Sequence, residues 1–180
     1  LVGVLAADMS LYGGDYRSYE RTFGLLMQVI GRCGRAGLSG RAYIQTYSPE
    51  HSVLIRASAQ DYRAFYEDEI LNRRVMLYPP YCAMGSVLFS GEKEMEVREA
   101  AETFSAMFGE RLKAADLPAR LLGPTPSRVP KVAGKWRWKL IMKYRPDGAF
   151  FRVTAEALKA FVKESRYGKT EVSVDPSDIG

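Results

Sequence analysis

The chain has 180 residues, 47% of them apolar and 26% charged, and its 26 basic against 21 acidic side chains give a formal net charge of +5. This is the composition of an ordinary globular protein of one or two domains, and no apolar run approaches the ~18 residues needed to cross a bilayer. One histidine and two distant cysteines, Cys33 and Cys82, exclude a four-ligand zinc site and a disulfide framework; reduced cysteines of this kind suit a cytoplasmic protein.

Leu1 to Ala7 reads as a buried parallel strand ending at Asp8. A buried strand needs neighbours, and no Met precedes it, so the expectation is a piece of a longer protein. Helix signals run from about Ser18 to Ala36, with Tyr19, Phe23, Leu26 and Ile30 near one stripe and Gly37 and Ser39-Gly40 as stops. Arg41 to Tyr47 alternates as a strand. His51, after Ser48-Pro49, sits where a helix should begin and suits a capping or surface role. A further helix is expected from Gln60 to about Leu77, its apolar face built from Tyr62, Phe65, Tyr66, Ile70 and Leu71, with Pro79-Pro80 ending it.

Beyond Pro80 the pattern changes. Met84 to Phe89 reads as a strand, Lys93 to Ala115 as a helix and Ala119 to Leu122 as a short strand. Gly123 to Lys135 carries three prolines and two glycines and is expected to be an extended, semi-rigid connection. Trp136 to Tyr144 alternates as a strand, Ala149 to Lys163 is helical, and Glu171 to Val174 is a last strand. The order is βαββαβ, which predicts two helices on one face of a four-stranded antiparallel sheet.

Within the first long helix, Gln28-Val29-Ile30-Gly31-Arg32-Cys33-Gly34-Arg35 reads Q-x-x-G-R-x-G-R. Gln28, Arg32 and Arg35 stand at i, i+4 and i+7 and so share one helical face. Gly31 and Gly34 leave room beside the arginines, although each costs a helix interior roughly 1 kcal/mol against alanine. Two permanently charged, forked guanidiniums match phosphate oxygens. In a nucleotide triphosphatase such a pair would neutralise charge on a transferred phosphoryl group. The plain alternative is an amphipathic helix with two solvated arginines.

Gln28 to Arg35 resembles motif VI of superfamily 2 helicases. Asp15-Tyr-Arg17-Ser-Tyr-Glu20-Arg21, Ile44 to His51, Phe65-Tyr66-x-x-Glu69-Ile70-x-x-Arg73-Arg74, Tyr78-Pro79-Pro80-Tyr81, Leu122-Gly123-Pro124-x-Pro126 and Lys135-Trp136-Arg137-Trp138-Lys139 accompany it. In that order they resemble the C-terminal part of the primosomal protein N-prime (PriA) family, bacterial replication-restart helicases, over essentially the whole chain. The resemblance implies catalytic roles for Arg32 and Arg35, with Gln28 positioning water or linking nucleotide state to DNA. It implies that Gly31, Arg32 and Arg35 contact ATP with Mg, in a site completed elsewhere, since this sequence has no G-x-x-x-x-G-K-[ST] loop. The family's zinc-binding cysteines would lie upstream, so no metal site is expected here. The parent would be an ATP-driven 3′ to 5′ helicase acting at branched, abandoned replication forks and helping to reload the replicative helicase.

From Pro118 to Arg145 there are eight basic residues and no acidic one. A concentrated basic segment points to a polyanion. On a strand, Lys135, Arg137 and Lys139 share one face and Trp136 and Trp138 the other. Arg128, Lys131, Lys135, Arg137, Lys139 and Lys143 are therefore the candidate contacts to branched and single-stranded DNA. The same patch would suit an acidic peptide, and the resemblance implies the tail of a single-stranded-DNA-binding protein and other primosome proteins as partners. Simple solvation of these cations is the plain reading. A βαββαβ RNA-binding module, or another superfamily 2 helicase, is the alternative identity for the chain.

The expected fold class is α/β plus α+β. Residues 1–56 end a second RecA-like lobe as strand-helix-strand, 57–79 form a helical linker, and 80–180 form a split-βαβ domain that binds DNA and partners.

Overall fold

Val2–Val4 (β1) pairs in parallel with Ala42–Ile44 (β2), in register from Val2 opposite Ala42 to Val4 opposite Ile44, in a computed structural model that describes residues 1–33 and 40–175. Between the two strands come Asp8–Leu11 (α1) and Ser18–Arg32 (α2); after them come Ser52–Ser58 (α3) and Tyr62–Met76 (α4). Ala7, Leu11, Phe23, Leu26, Val53, Leu54, Ala57 and Phe65 form one buried cluster. The Phe23 ring stacks on Phe65 at 4.1 Å between centroids, joining α2 to α4. His51 opens α3 as its N-cap: Nδ1 accepts the Val53 N–H at 3.3 Å and satisfies one of the helix's orphan donors.

The first strand is shorter and less buried than the sequence suggests. With β2 as its neighbour among the described residues, β1 leaves Leu1 and Leu5 90% and 79% exposed. Ala6 then takes a left-handed φ of 52°, and Asp8 opens a helical turn where the sequence predicts a strand end. The Asp8 carboxylate accepts Thr46 Oγ1–H at 2.8 Å and the Tyr47 N–H at 3.0 Å. Partial desolvation would raise its pKa, but these hydrogen bonds outweigh it and hold the carboxyl below the usual range.

A second unit begins at Leu77. It contains Ala83–Gly91 (β3), Glu94–Ala114 (α5), Ala119–Val132 (β4), Lys135–Tyr144 (β5), Gly148–Lys163 (α6), a 3-10 turn at Ser165–Tyr167 and Glu171–Asp175 (β6). The sheet order is β4-β5-β3-β6 and every neighbouring pair is antiparallel. Alternate strand residues, Val87 and Phe89 of β3 and Leu140, Met142 and Tyr144 of β5, enter one core with Phe104 and Phe108 of α5 and Phe150 and Phe161 of α6. The helices therefore cover one face of the sheet, and the other alternation of residues faces away from them. Residues 57–79, read as a linker, hold the end of α3 and α4, and α4 lies in the first unit.

The structure overturns the loop expected over Gly123 to Lys135. β4 continues through it to Val132, and a two-residue turn, Ala133-Gly134, both with positive φ, closes the hairpin to β5. Two features let a proline-rich segment stay in the sheet. β4 is an edge strand, where a missing N–H need not break a ladder. Its register also shifts between Leu122 and Thr125 and between Pro126 and Lys131, so the prolines fall at irregularities. Gly123 sits at the first shift with φ +99, and a Cβ there would lie 2.9 Å from the Thr125 nitrogen.

Phe104 is fully buried, with its ring 5.6 Å from Phe89, 5.5 Å from Phe108 and 5.5 Å from Phe161. Phe104→Ala should destabilise the second unit by about 3–5 kcal/mol. Both tryptophans of the chain lie in this unit, so urea unfolding followed by tryptophan fluorescence should show the loss directly. A change below about 1 kcal/mol would mean the aromatic layer is not the core.

Candidate phosphate and nucleic-acid interfaces

The face of α2 opposite Phe23 and Leu26 carries Gln28 and Arg32, one turn apart and both exposed. Gly31 lies beside them in open space, with nothing within 4 Å of where a Cβ would stand. Arg35 and Gly34 fall outside the described residues. Arg32 occupies the last turn of α2, where the helix dipole is negative. An anion approaching there would be held by side-chain donors and not by backbone N–H groups. The donor set described, an amide and a guanidinium, is of the kind that hydrogen bonds a phosphate. Among the described residues, no carboxylate for Mg stands with them.

In the second unit, β5 places Lys135, Arg137, Lys139, Ile141 and Lys143 on the sheet face turned away from the helices, successive side chains about 6.8 Å apart. Its neighbours complete that face: Arg120 opposite Lys143 and Leu122 opposite Ile141 on β4, Leu88 opposite Lys139 and Ser90 opposite Arg137 on β3. Trp138 packs against the core on the helix side, with the Arg98 guanidinium of α5 5.8 Å from its ring. The alternation read from the sequence thus separates tryptophans from cations.

The six candidate cations do not form one patch. Lys135 Nζ is ion-paired with the Glu171 carboxylate of β6, which also meets Ser90 Oγ. The Lys135 hydrogen bond holds the Glu171 carboxyl below the usual range. Lys131 lies opposite Trp136 in the register and its Nζ stands 4.9 Å from that ring, on the tryptophan side of the hairpin. Arg128 is exposed within the irregular stretch between Pro126 and Lys131. Lys143 is 8% exposed, its Nζ 3.7 Å from the centre of the Tyr78 ring. Burial pushes the Lys143 ammonium below the usual lysine range, and the charge of Arg120 adds to that push. Arg137 and Lys139 remain half-buried neighbours in the middle of the face. Arg120 joins them from β4; it lies in the basic run, but only the strand pairing brings it to this face.

Among the described residues no three His, Cys, Asp or Glu side chains are placed to hold a metal ion, and no helix is long and apolar enough to cross a membrane. Cys33 and Cys82 are free thiols. The Cys82 thiol hydrogen bonds to the Leu77 carbonyl at 3.0 Å, and burial raises its pKa.

The sequence profile of the family described as "Primosomal protein N C-terminal domain" matches residues 74–177. Proteins named "Replication restart protein PriA" are similar over nearly the whole chain. The one from Bacillus subtilis (strain 168) is 35% identical over 97% of this chain and 21% of its own length. That from Synechocystis is 35% identical over 99% of this chain and 21% of its own, and that from Treponema pallidum 31% identical over 99% and 27%. The chain thus spans about a fifth to a quarter of the length of these relatives. It belongs to the PriA family of replication restart proteins and corresponds to their C-terminal part.

Proposed function

We propose that the chain is the C-terminal part of a cytoplasmic 3′ to 5′ DNA helicase that recognises branched or abandoned replication forks and promotes primosome assembly. In this reading β1, α2 and β2 end a RecA-like lobe. Arg32, with Arg35, neutralises charge on the phosphoryl group of ATP-Mg during hydrolysis, and Gln28 positions water or links nucleotide state to DNA. The remaining parts of the ATP site, and the zinc sites of the family, would lie in the rest of a longer protein, so this chain alone neither hydrolyses ATP nor binds it tightly. The observation that carries the reading is the exposure of Gln28, Gly31 and Arg32 together on the one face of α2 that makes no core contact.

The second unit is the proposed DNA- and partner-binding domain. Arg120, Arg137 and Lys139 share its open sheet face, and cations of this kind hold phosphates without reading sequence. Sheets that bind RNA display aromatics for base stacking. Here, among the described strand residues, Trp136, Trp138 and Tyr144 lie on the helix side and Leu88, Leu122 and Ile141 on the open side, which favours phosphate contacts over stacking. A second ligand is favoured by one contact. The Glu171 carboxylate already sits on this face against Lys135, so the acidic tail of a single-stranded-DNA-binding protein is the alternative occupant.

In the intact protein, Arg32→Ala should lower DNA-stimulated ATP turnover by roughly a thousandfold, as loss of an arginine finger does; turnover within tenfold of wild type would remove Arg32 from that role. For DNA, Arg137→Ala with Lys139→Ala should weaken binding to random and branched strands alike. The slope of log affinity against log salt should flatten by about 1.4, from ~0.7 released counterions per single-strand phosphate contact. An unchanged slope with lost binding of an acidic tail peptide would make the face a protein-docking site.

A further inference from the structure

We propose that Arg73 is a positioning residue that fixes the nucleotide-facing helix α2 against α4, so that without this bridge DNA no longer fully stimulates nucleotide turnover. The inference rests on the reading of α2 given above. Two sequence segments that the phosphate face does not use, Asp15 to Arg21 and Glu69 to Arg74, carry it, because the structure joins them.

Arg73 Nε donates to Glu69 Oε1 at 2.7 Å, within α4, and Arg73 Nη2 donates to Glu20 Oε2 at 2.9 Å, in the first turn of α2. The guanidinium also stands 5.0 Å from the centre of the Tyr16 ring. Its side chain is 15% exposed and that of Glu69 11%, so solvent screens that pair less than an ordinary surface one, whereas Glu20 reaches it from α2 with its own side chain 58% exposed. Burial would lower the Arg73 pKa, but the hydrogen bonds it donates to Glu69 and Glu20 outweigh that and raise it.

The loop that delivers Tyr16 and leads into the first turn of α2 is itself held in place. Gly14 turns the chain with φ +76. Asp15, its side chain 6% exposed, accepts the Arg17 N–H at 2.8 Å and pairs with Arg21 at 2.6 Å. Arg17 Nε donates to the Tyr16 hydroxyl at 2.9 Å. A flat guanidinium holding two carboxylates and an aromatic face constrains direction as well as distance; a lysine ammonium would not. With the Phe23–Phe65 stack, α2 and α4 are joined by a polar contact and an apolar one. A local role would need only the Glu69–Arg73 pair, one turn apart on the same helix. The bond to Glu20 crosses to the helix that bears Gln28 and Arg32. α4 ends at Met76 and the second unit begins at Leu77, about one helical turn beyond Arg73.

The test uses the full-length protein with ATP and a single-stranded oligonucleotide. In Arg73→Gln, DNA-free ATP turnover should stay within about twofold of wild type, and oligonucleotide affinity by fluorescence anisotropy should be unchanged. The maximal stimulation of turnover by DNA should fall about tenfold, within the 5–150-fold range of ordinary coupling between sites. Glu20→Gln, which leaves the Glu69 contact in place, should reproduce the loss, and the double variant should be no worse than either single one. Arg73→Lys, with the charge but not the fork, should fail to restore stimulation. Full stimulation in Arg73→Gln and Glu20→Gln overturns the proposal. So does a fall of DNA-free and DNA-stimulated turnover together in step with a lower melting temperature, which marks a role in folding alone. Arg32→Ala measured beside them separates the two levels. Lost turnover there with intact stimulation in Arg73→Gln overturns the coupling only, whereas intact turnover in Arg32→Ala overturns the reading of α2 beneath it.

Discussion

The antiparallel ladder between β3 and β5 decides the chemistry of the second unit. It runs from Ala83 opposite Tyr144 to Gly91 opposite Trp136 without a shift. Side chains on a strand alternate, so a slip of one residue would turn Arg137 and Lys139 into the core and Leu140 and Met142 into water. An unpaired charge in an apolar core is far more costly than an exposed hydrophobe, so burial of Val87, Phe89, Leu140 and Met142 holds the cations on the outer face. Core packing and a basic surface are the same decision made once.

α2 solves the same problem with a different period. Phe23 and Leu26 face the core, while Gln28 and Arg32, about half a turn round, face away. Its glycines at 24 and 31 weaken it as an isolated helix, and among the described residues a Cβ at each would meet nothing within 4 Å. The helix depends on tertiary contacts to compensate: the Phe65 ring at Phe23 and the Arg73 guanidinium at Glu20. Its exposed face is therefore held in place from the opposite side, which leaves that face open to a ligand.

Elements with a strong period were legible in the sequence. α2, α4, α5 and α6 lie within a few residues of where apolar spacing puts them, and the separation of tryptophans from cations on β5 followed from alternation alone. What could not be read depends on distant partners or on tolerance at an edge. The extension of β4 through Pro124, Pro126 and Pro130 is hidden, because composition marks prolines as a loop while only the sheet order reveals an edge strand. The ion pair of Lys135 with Glu171 spans 36 residues, and the seat of Lys143 on Tyr78 needs the fold as well. α1 escaped notice because Asp8, with Thr46 and Tyr47 as partners, looks in sequence like the end of a strand.

The same contacts change what the basic run means. Eight cations and no acid between Pro118 and Arg145 suggest one intense field, but the fold divides it. Lys135 is neutralised by Glu171, Lys131 is turned to the tryptophan side, and Lys143 is withdrawn from solvent. Arg120, Arg137 and Lys139 share the outer face, with the apolar Leu88, Leu122 and Ile141 among them. Few cations on an apolar ground differ in kind from a dense basic patch: each released counterion steepens the dependence on salt, whereas apolar contact does not respond to salt in that way. A ligand of this face would then be held partly by charge and partly by the flat sheet beneath it. That combination suits polymers of differing sequence, because neither contribution requires the identity of a base or a side chain to be read.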